Sequence, residues 1–258
     1  MKPIAYILFL CFLLAGIPGE AQSIPAGTLL PVMLGTSIDG SKAKPGDRVV
    51  ARLMQDVRLP SGQRIGAGAK VKGQVIAATP ASSSGASQIA LRFDKLVAGD
   101  KVYSLTAGLR ALASAEEVFA AQLPVGTFDD YGTSTSDWTT VQIGGAVVYR
   151  GDGTVRQAME VVGKTTDSGA VTARLLPNPK RGCPAGTTVD DADGALWLFS
   201  PWACGTYDFA ELQIVQSGFQ EPVGEVRLSA PKAVRLPGGS GWLLLALEPV
   251  SSRPPSSK

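Results

Sequence analysis

The chain has 258 residues, 24 Lys+Arg against 22 Asp+Glu, a formal net charge of +2, and no histidine. The missing imidazole excludes Ser-His-Asp and Cys-His nucleophiles, His-ligated zinc, haem or copper, and a histidine pH switch. Only 18% of residues are charged, with neither sign in the excess that marks a nucleic-acid binder, and the 45% hydrophobic content suits one large domain or two small ones.

Residues 1–21 read as a signal peptide: Met1-Lys2, an apolar run over 4–17, then Gly19 and Ala21 at the spacing a signal peptidase reads. The run is shorter than the roughly 20 residues a spanning helix needs, so cleavage after Ala21 and no integral membrane span are expected. Leu10 stands before Cys11 where a lipobox needs a small residue. An exported chain meets an oxidising compartment, and the two remaining cysteines, Cys183 and Cys204, are then expected to form a disulfide. Closing that loop stabilises by about 3 kcal/mol in the chain-entropy model.

From residue 22 to 113 the pattern is short β-rich runs separated by Gly, Pro, Ser and Asp. The predicted strands are 28–34, 47–53, 57–59, 70–77, 88–93 and 101–107. Ser114-Ala115-Glu116-Glu117 has capping-box spacing and predicts a short helix over 114–122. The Asp/Gly/Ser/Thr-rich stretch 126–137 reads as a loop, so 114–137 is expected to connect two halves. Strands resume at 138–143, 146–150, 171–175, 195–199, 209–215, 225–228 and 242–247. The second half, 138–250, is expected to be a β-rich domain holding the disulfide, with 251–258 a disordered Ser/Pro-rich tail. The fold class is therefore all-β, an antiparallel barrel or sandwich in two β-rich halves joined by one short helix.

The N-terminal half carries a family likeness. Ile24-Pro25-Ala26-Gly27-Thr28 opens a strand, Pro45-Gly46-Asp47-Arg48-Val49-Val50-Ala51 follows, and Val57, Ile65-Gly66-Ala67-Gly68-Ala69, Lys70-Val71-Lys72-Gly73-Gln74-Val75 and Lys101-Val102-Tyr103-Ser104-Leu105 complete the series. Together these resemble the barrel domain of the bacterial conjugation TrbI-like family of type IV secretion channels, with Gly66 where that family has Pro. The resemblance implies a non-enzymatic β-barrel that assembles with other envelope proteins. The chain departs from the family in its cleavable leader and in lacking a Pro-rich spacer, and its remainder is similar to uncharacterised secreted bacterial proteins.

Residues that carry chemistry are few. Ser41-Lys42-Ala43-Lys44 fits Ser-x-x-Lys, but Asp39-Gly40 and Pro45-Gly46 around it predict a turn rather than the helix start this nucleophile needs. Asp190, Asp191 and Asp193, before Gly194, are a weak calcium candidate without the full EF-hand ligand set. Paired carboxylates hydrolyse sugars without histidine, and Asp129, Asp130, Asp137, Glu160, Glu211 and Glu225 are the acids available for it. Trp197, Phe199 and Trp202 lie between the cysteines, with Tyr207 and Phe209 just after. The apolar run around Trp197 and Phe199 favours burial of both, which leaves Trp202 and Tyr207 as the candidate binding aromatics. No cofactor and no catalytic residue are expected. The expected function is an exported cell-envelope interaction or scaffold module with envelope or secreted protein partners. The alternative is a secreted carbohydrate-binding protein or a histidine-independent polysaccharide hydrolase.

Overall fold

A computed structural model describes residues 22–83, 85–122, 138–143, 147–150, 154–157, 160–165, 171–173, 198–199, 203–215 and 224–248. The first half holds β1 (Leu29–Leu34), β2 (Ile38–Asp39), β3 (Arg48–Leu53), β4 (Val57–Arg58), β5 (Arg64–Ile65), β6 (Lys70–Thr79), β7 (Ser87–Ala98), β8 (Lys101–Ser104) and β9 (Ala107–Ala113). Helix α1 (Ala115–Ala120) follows. Then come β10 (Trp138–Val141), β11 (Val147–Arg150), β12 (Thr154–Gln157), β13 (Glu160–Thr165) and β14 (Val171–Ala173). The described chain finishes with β15 (Gly205–Tyr207), β16 (Gln213–Ile214), β17 (Val226–Ala230), β18 (Arg235–Leu236) and β19 (Gly241–Ala246).

The architecture is all-β. One 10-stranded sheet runs β15-β9-β19-β1-β3-β6-β7-β17-β16, with β8 paired to β7 beside it. Its ladders are antiparallel except β15, which runs parallel to β9. The strands form where apolar residues recur with period two. In β3, Val49, Ala51 and Leu53 are buried while Arg48 and Arg52 are exposed. The β7–β8 turn is Gly99-Asp100, and Gly99 takes φ +59° at the first central position, where a II′ hairpin turn needs a glycine. Residues 22–24 lie along the outer edge of β8, with Ile24 N–H donating to Ser104 O at 3.0 Å and Ser104 N–H to Gln22 O at 2.9 Å. That strap covers part of an edge strand that would otherwise expose unpaired backbone.

The sheet curls around one apolar core, and its terminal strands β15 and β16 approach each other, but among the described residues no ladder joins them into a closed barrel. Trp242 of β19 and Phe93 of β7 meet inside the curl, edge to face, with ring centroids 6.0 Å apart. Trp242 is fully buried, and its indole N–H is satisfied by Ser240 Oγ at 3.0 Å.

The division into halves differs from the sequence expectation. Strands β17 and β19 lie within the residues assigned to a second domain, yet β17 pairs with β7, and β19 sits between β1 and β9. Alternation along a strand reports which face is buried and carries no information about the neighbouring strand, so chain order alone does not reveal these pairings. Among the described residues, the strands β10 to β14 pair only among themselves. The predicted strand 101–107 stops at Ser104 and a separate β9 begins at Ala107. The predicted strand 209–215 is reduced to Gln213–Ile214.

A second apolar cluster lies on the other face of β9 and β19. Ala111, Ala113 and Leu243 pack there with Val118 and Ala121 of the helical segment and with Ile143, Leu198, Phe199 and Ala203. All six residues of β19 are buried because both faces of that strand are covered. A β-bulge at Arg110 changes which side chains of β9 face each core: Leu109 joins the inner cluster and Ala111 the outer one. Gly241 permits the close approach, since a Cβ there would stand 2.6 Å from Val118 Cγ2 and 3.2 Å from the Phe199 ring.

Candidate functional site

The expected leader 1–21, Cys183, Asp190, Asp191, Asp193, Trp197 and Trp202 lie outside the described residues, as do Asp129, Asp130, Asp137 and the expected tail 251–258. Phe199 is fully buried in the outer cluster, as its apolar surroundings predicted. Cys204 is disulfide-bonded. Among the described residues no group of three or more metal-binding side chains comes together, and no helix is long and apolar enough to cross a membrane.

Tyr207, one of the two candidate binding aromatics, is half-buried. Its hydroxyl accepts the Cys204 N–H at 3.2 Å, and its ring packs against the outer cluster. Burial pushes the phenol up to about 12, against the opposing effect of that Cys204 bond and of Arg110. Its carbonyl accepts the Ser114 N–H at 3.2 Å. The capping box predicted at Ser114 is therefore half formed. Ser114 Oγ accepts the Glu117 N–H at 3.1 Å, while the reciprocal donor is already taken by Tyr207. Ser114 Oγ also donates to Asp208 Oδ2 at 2.7 Å. Asp208 takes φ 53°, a left-handed conformation that Asp tolerates better than most residues. Burial, then Asp208 and Glu116, raise the Glu117 carboxyl above its ordinary value. These groups anchor α1 and the Cys204 segment to the edge of β9.

The remaining sequence candidates are committed to local structure. Asp39 Oδ1 accepts from both Ser41 N–H, at 3.0 Å, and Ser41 Oγ–H, at 2.6 Å. The Lys44 N–H bonds Asp47 Oδ2 at 2.8 Å. Ser41-Lys42-Ala43-Lys44 is a turn, as its flanking residues predicted, with its hydroxyl proton directed at a carboxylate rather than at Lys44. Glu225 bridges Arg92 at 2.6 Å and Arg227 at 3.0 Å, and the Arg92 bond leads the causes that hold its carboxyl below the ordinary value. Such a group is neither a raised general acid nor a free nucleophile. Glu211 is exposed. Glu160 opens β13.

Two of the surface grooves are lined by described residues. The larger, about 670 Å³, lies between the β4–β5 and β7–β8 hairpins and is lined by Gln63, Arg64, Lys70, Lys101 and Tyr103. Gln63 Nε2 donates across it to Tyr103 Oη at 2.6 Å, and Asp56 holds Arg64 and the Ala67 N–H. The smaller, about 480 Å³, borders the Ser41 turn at Asp39, Lys42 and Arg48.

The feature that sequence reasoning missed is the outward face of β3, β6 and β7. Paired residues in an antiparallel ladder share a face, and Arg52 stands opposite Lys70, Val50 opposite Lys72, and Lys72 opposite Lys95. Arg48 and Arg92 flank Gln74 in the next row. Arg48, Arg52, Lys70, Lys72 and Lys95 are exposed, and none has an ion-pair partner among the described residues. The alternating exposed positions of these strands were the available signal, but only the register brings their charges together. No protein-family model, curated protein or solved structure matches the chain.

Proposed function

We propose that this protein is an exported cell-envelope interaction or scaffold module that works by binding and not by catalysis. The observation that carries the reading is the disulfide at Cys204, because disulfides persist in oxidising compartments outside the cytosol. The export-type leader at 1–21 agrees with it, and Cys183 is the proposed partner. The likeness of residues 24–105 to the TrbI-like barrel domain supports assembly with other envelope proteins. The engagement of Ser41 by Asp39, and of Glu225 by two arginines, supports a binding role over hydrolysis.

Crosslinking in intact cells followed by affinity capture tests this function. Recovery of a defined envelope protein is the expected result. Recovery of none, together with retention on a neutral polysaccharide column, overturns it in favour of a carbohydrate-binding protein. Alkylation under non-reducing conditions with peptide mass spectrometry checks the Cys183–Cys204 bond.

A further inference from the structure

We propose that the outward face of β3, β6, β7 and β8 docks on an anionic lipid bilayer. This deepens the reading of an envelope module and rests on the export that reading assumes. Lys72 stands directly opposite Lys95, and Arg52 directly opposite Lys70. Opposed Cβ atoms in such a ladder are about 5 Å apart, and like charges placed there are destabilising. The acids beside this face do not relieve it. Glu225 is shared by Arg92 and Arg227, Asp47 accepts from the Lys44 backbone, and Asp94 at the β7 bulge makes no ion pair among the described residues.

The shape of the patch selects its partner. Cations on three adjacent strands form a two-dimensional array, which matches a plane of phosphate headgroups better than a single polymer thread. The row Arg52-Lys70 continues into Val97 and then Val102, and Val102 is 54% exposed. An exposed aliphatic residue beside lysines is the arrangement that enters the headgroup–acyl boundary while long cationic stems spread over it. The sheet curls around the apolar core, so this outward face is convex and β3 and β7 turn away from the central β6. Lys70 and Lys72 on β6 therefore make the closest approach.

Sedimentation of the purified protein with vesicles of phosphatidylcholine alone, or mixed with phosphatidylglycerol, tests the assignment. Binding is expected only to the mixed vesicles and is expected to weaken as salt rises. Replacing Lys70→Gln and Lys72→Gln together is expected to weaken it about 30-fold. Lys232→Gln with Arg235→Gln removes the same charge at exposed positions off this face and is expected to leave binding unchanged. Thermal unfolding of the Lys70/Lys72 variant at or above the wild-type temperature shows that its fold is intact. Equal binding to both vesicle types, equal loss in both double variants, or retention on polygalacturonate or duplex DNA at salt where vesicles are not bound overturns the proposal. Vesicle binding without any captured envelope protein removes the protein-partner reading and leaves this one standing; the opposite pair of results does the reverse.

Discussion

The two walls of the curled sheet solve different problems with the same strand geometry. The wall of β9 and β19 is covered on both faces, by the inner core and by the α1–Phe199 cluster, and its sequences Ala-Gly-Leu-Arg-Ala-Leu-Ala and Gly-Trp-Leu-Leu-Leu-Ala are almost wholly apolar. The wall of β3, β6 and β7 is covered on one face only, and its other face carries cations in register. The first wall is packed on both sides. The second keeps an exposed, electrostatically costly surface that is free to bind.

Breaking the inner side of the first wall is expected to cost most. Trp242→Ala removes the ring that meets Phe93 and leaves a cavity in the curl. A loss of about 3–5 kcal/mol is expected in urea unfolding. Filling the outer side comes next: Gly241→Leu drives a side chain into Val118 and Phe199 and is expected to cost about 1–3 kcal/mol, with Gly241→Ala toward the low end. Ser114→Ala removes the helix cap and the Asp208 bond and is expected to cost about 1 kcal/mol by the same measurement.

The second wall is expected to respond least, and through pH. The Glu225 carboxyl is held below its ordinary value in the folded protein. Its stabilisation is therefore present above the ordinary glutamate range and is lost as pH falls through the lowered folded value. Glu225→Gln is expected to lower stability at neutral pH by no more than about 1 kcal/mol, given the exposure of its arginine partners. The difference from wild type is expected to shrink on acidification. A difference that persists unchanged into strong acid would show that packing, not charge, sets the effect.

The contrast between the walls also explains what could be read from the residues. In β3 and the first part of β6, period-two burial with flanking turn residues made the strands visible, and Ser114 marked the helix. β9 was missed because small residues and the bulge at Arg110 interrupt its alternation. The placement of β17 and β19 was missed because strand partners are set by the whole core and not by local pattern. The cationic face was hidden for a related reason. Its residues are spread from Arg48 to Lys95 in a chain whose net charge is only +2, and only the pairing register sums them. For Tyr207 the sequence left burial and exposure open, because the Cys204 N–H that its hydroxyl accepts is a partner only the fold supplies.

The position of β19 also bears on the order of folding. Residues 241–246 insert between β1 and β9, so the two strands they join wait for a segment more than a hundred residues downstream of either. A nascent chain that has emerged only as far as α1 holds β1 and β9 with open edges and Trp242 absent from the core. Such long-range closure makes folding slow. The delay lengthens the interval in which the chain's unpaired strands are open to aggregation.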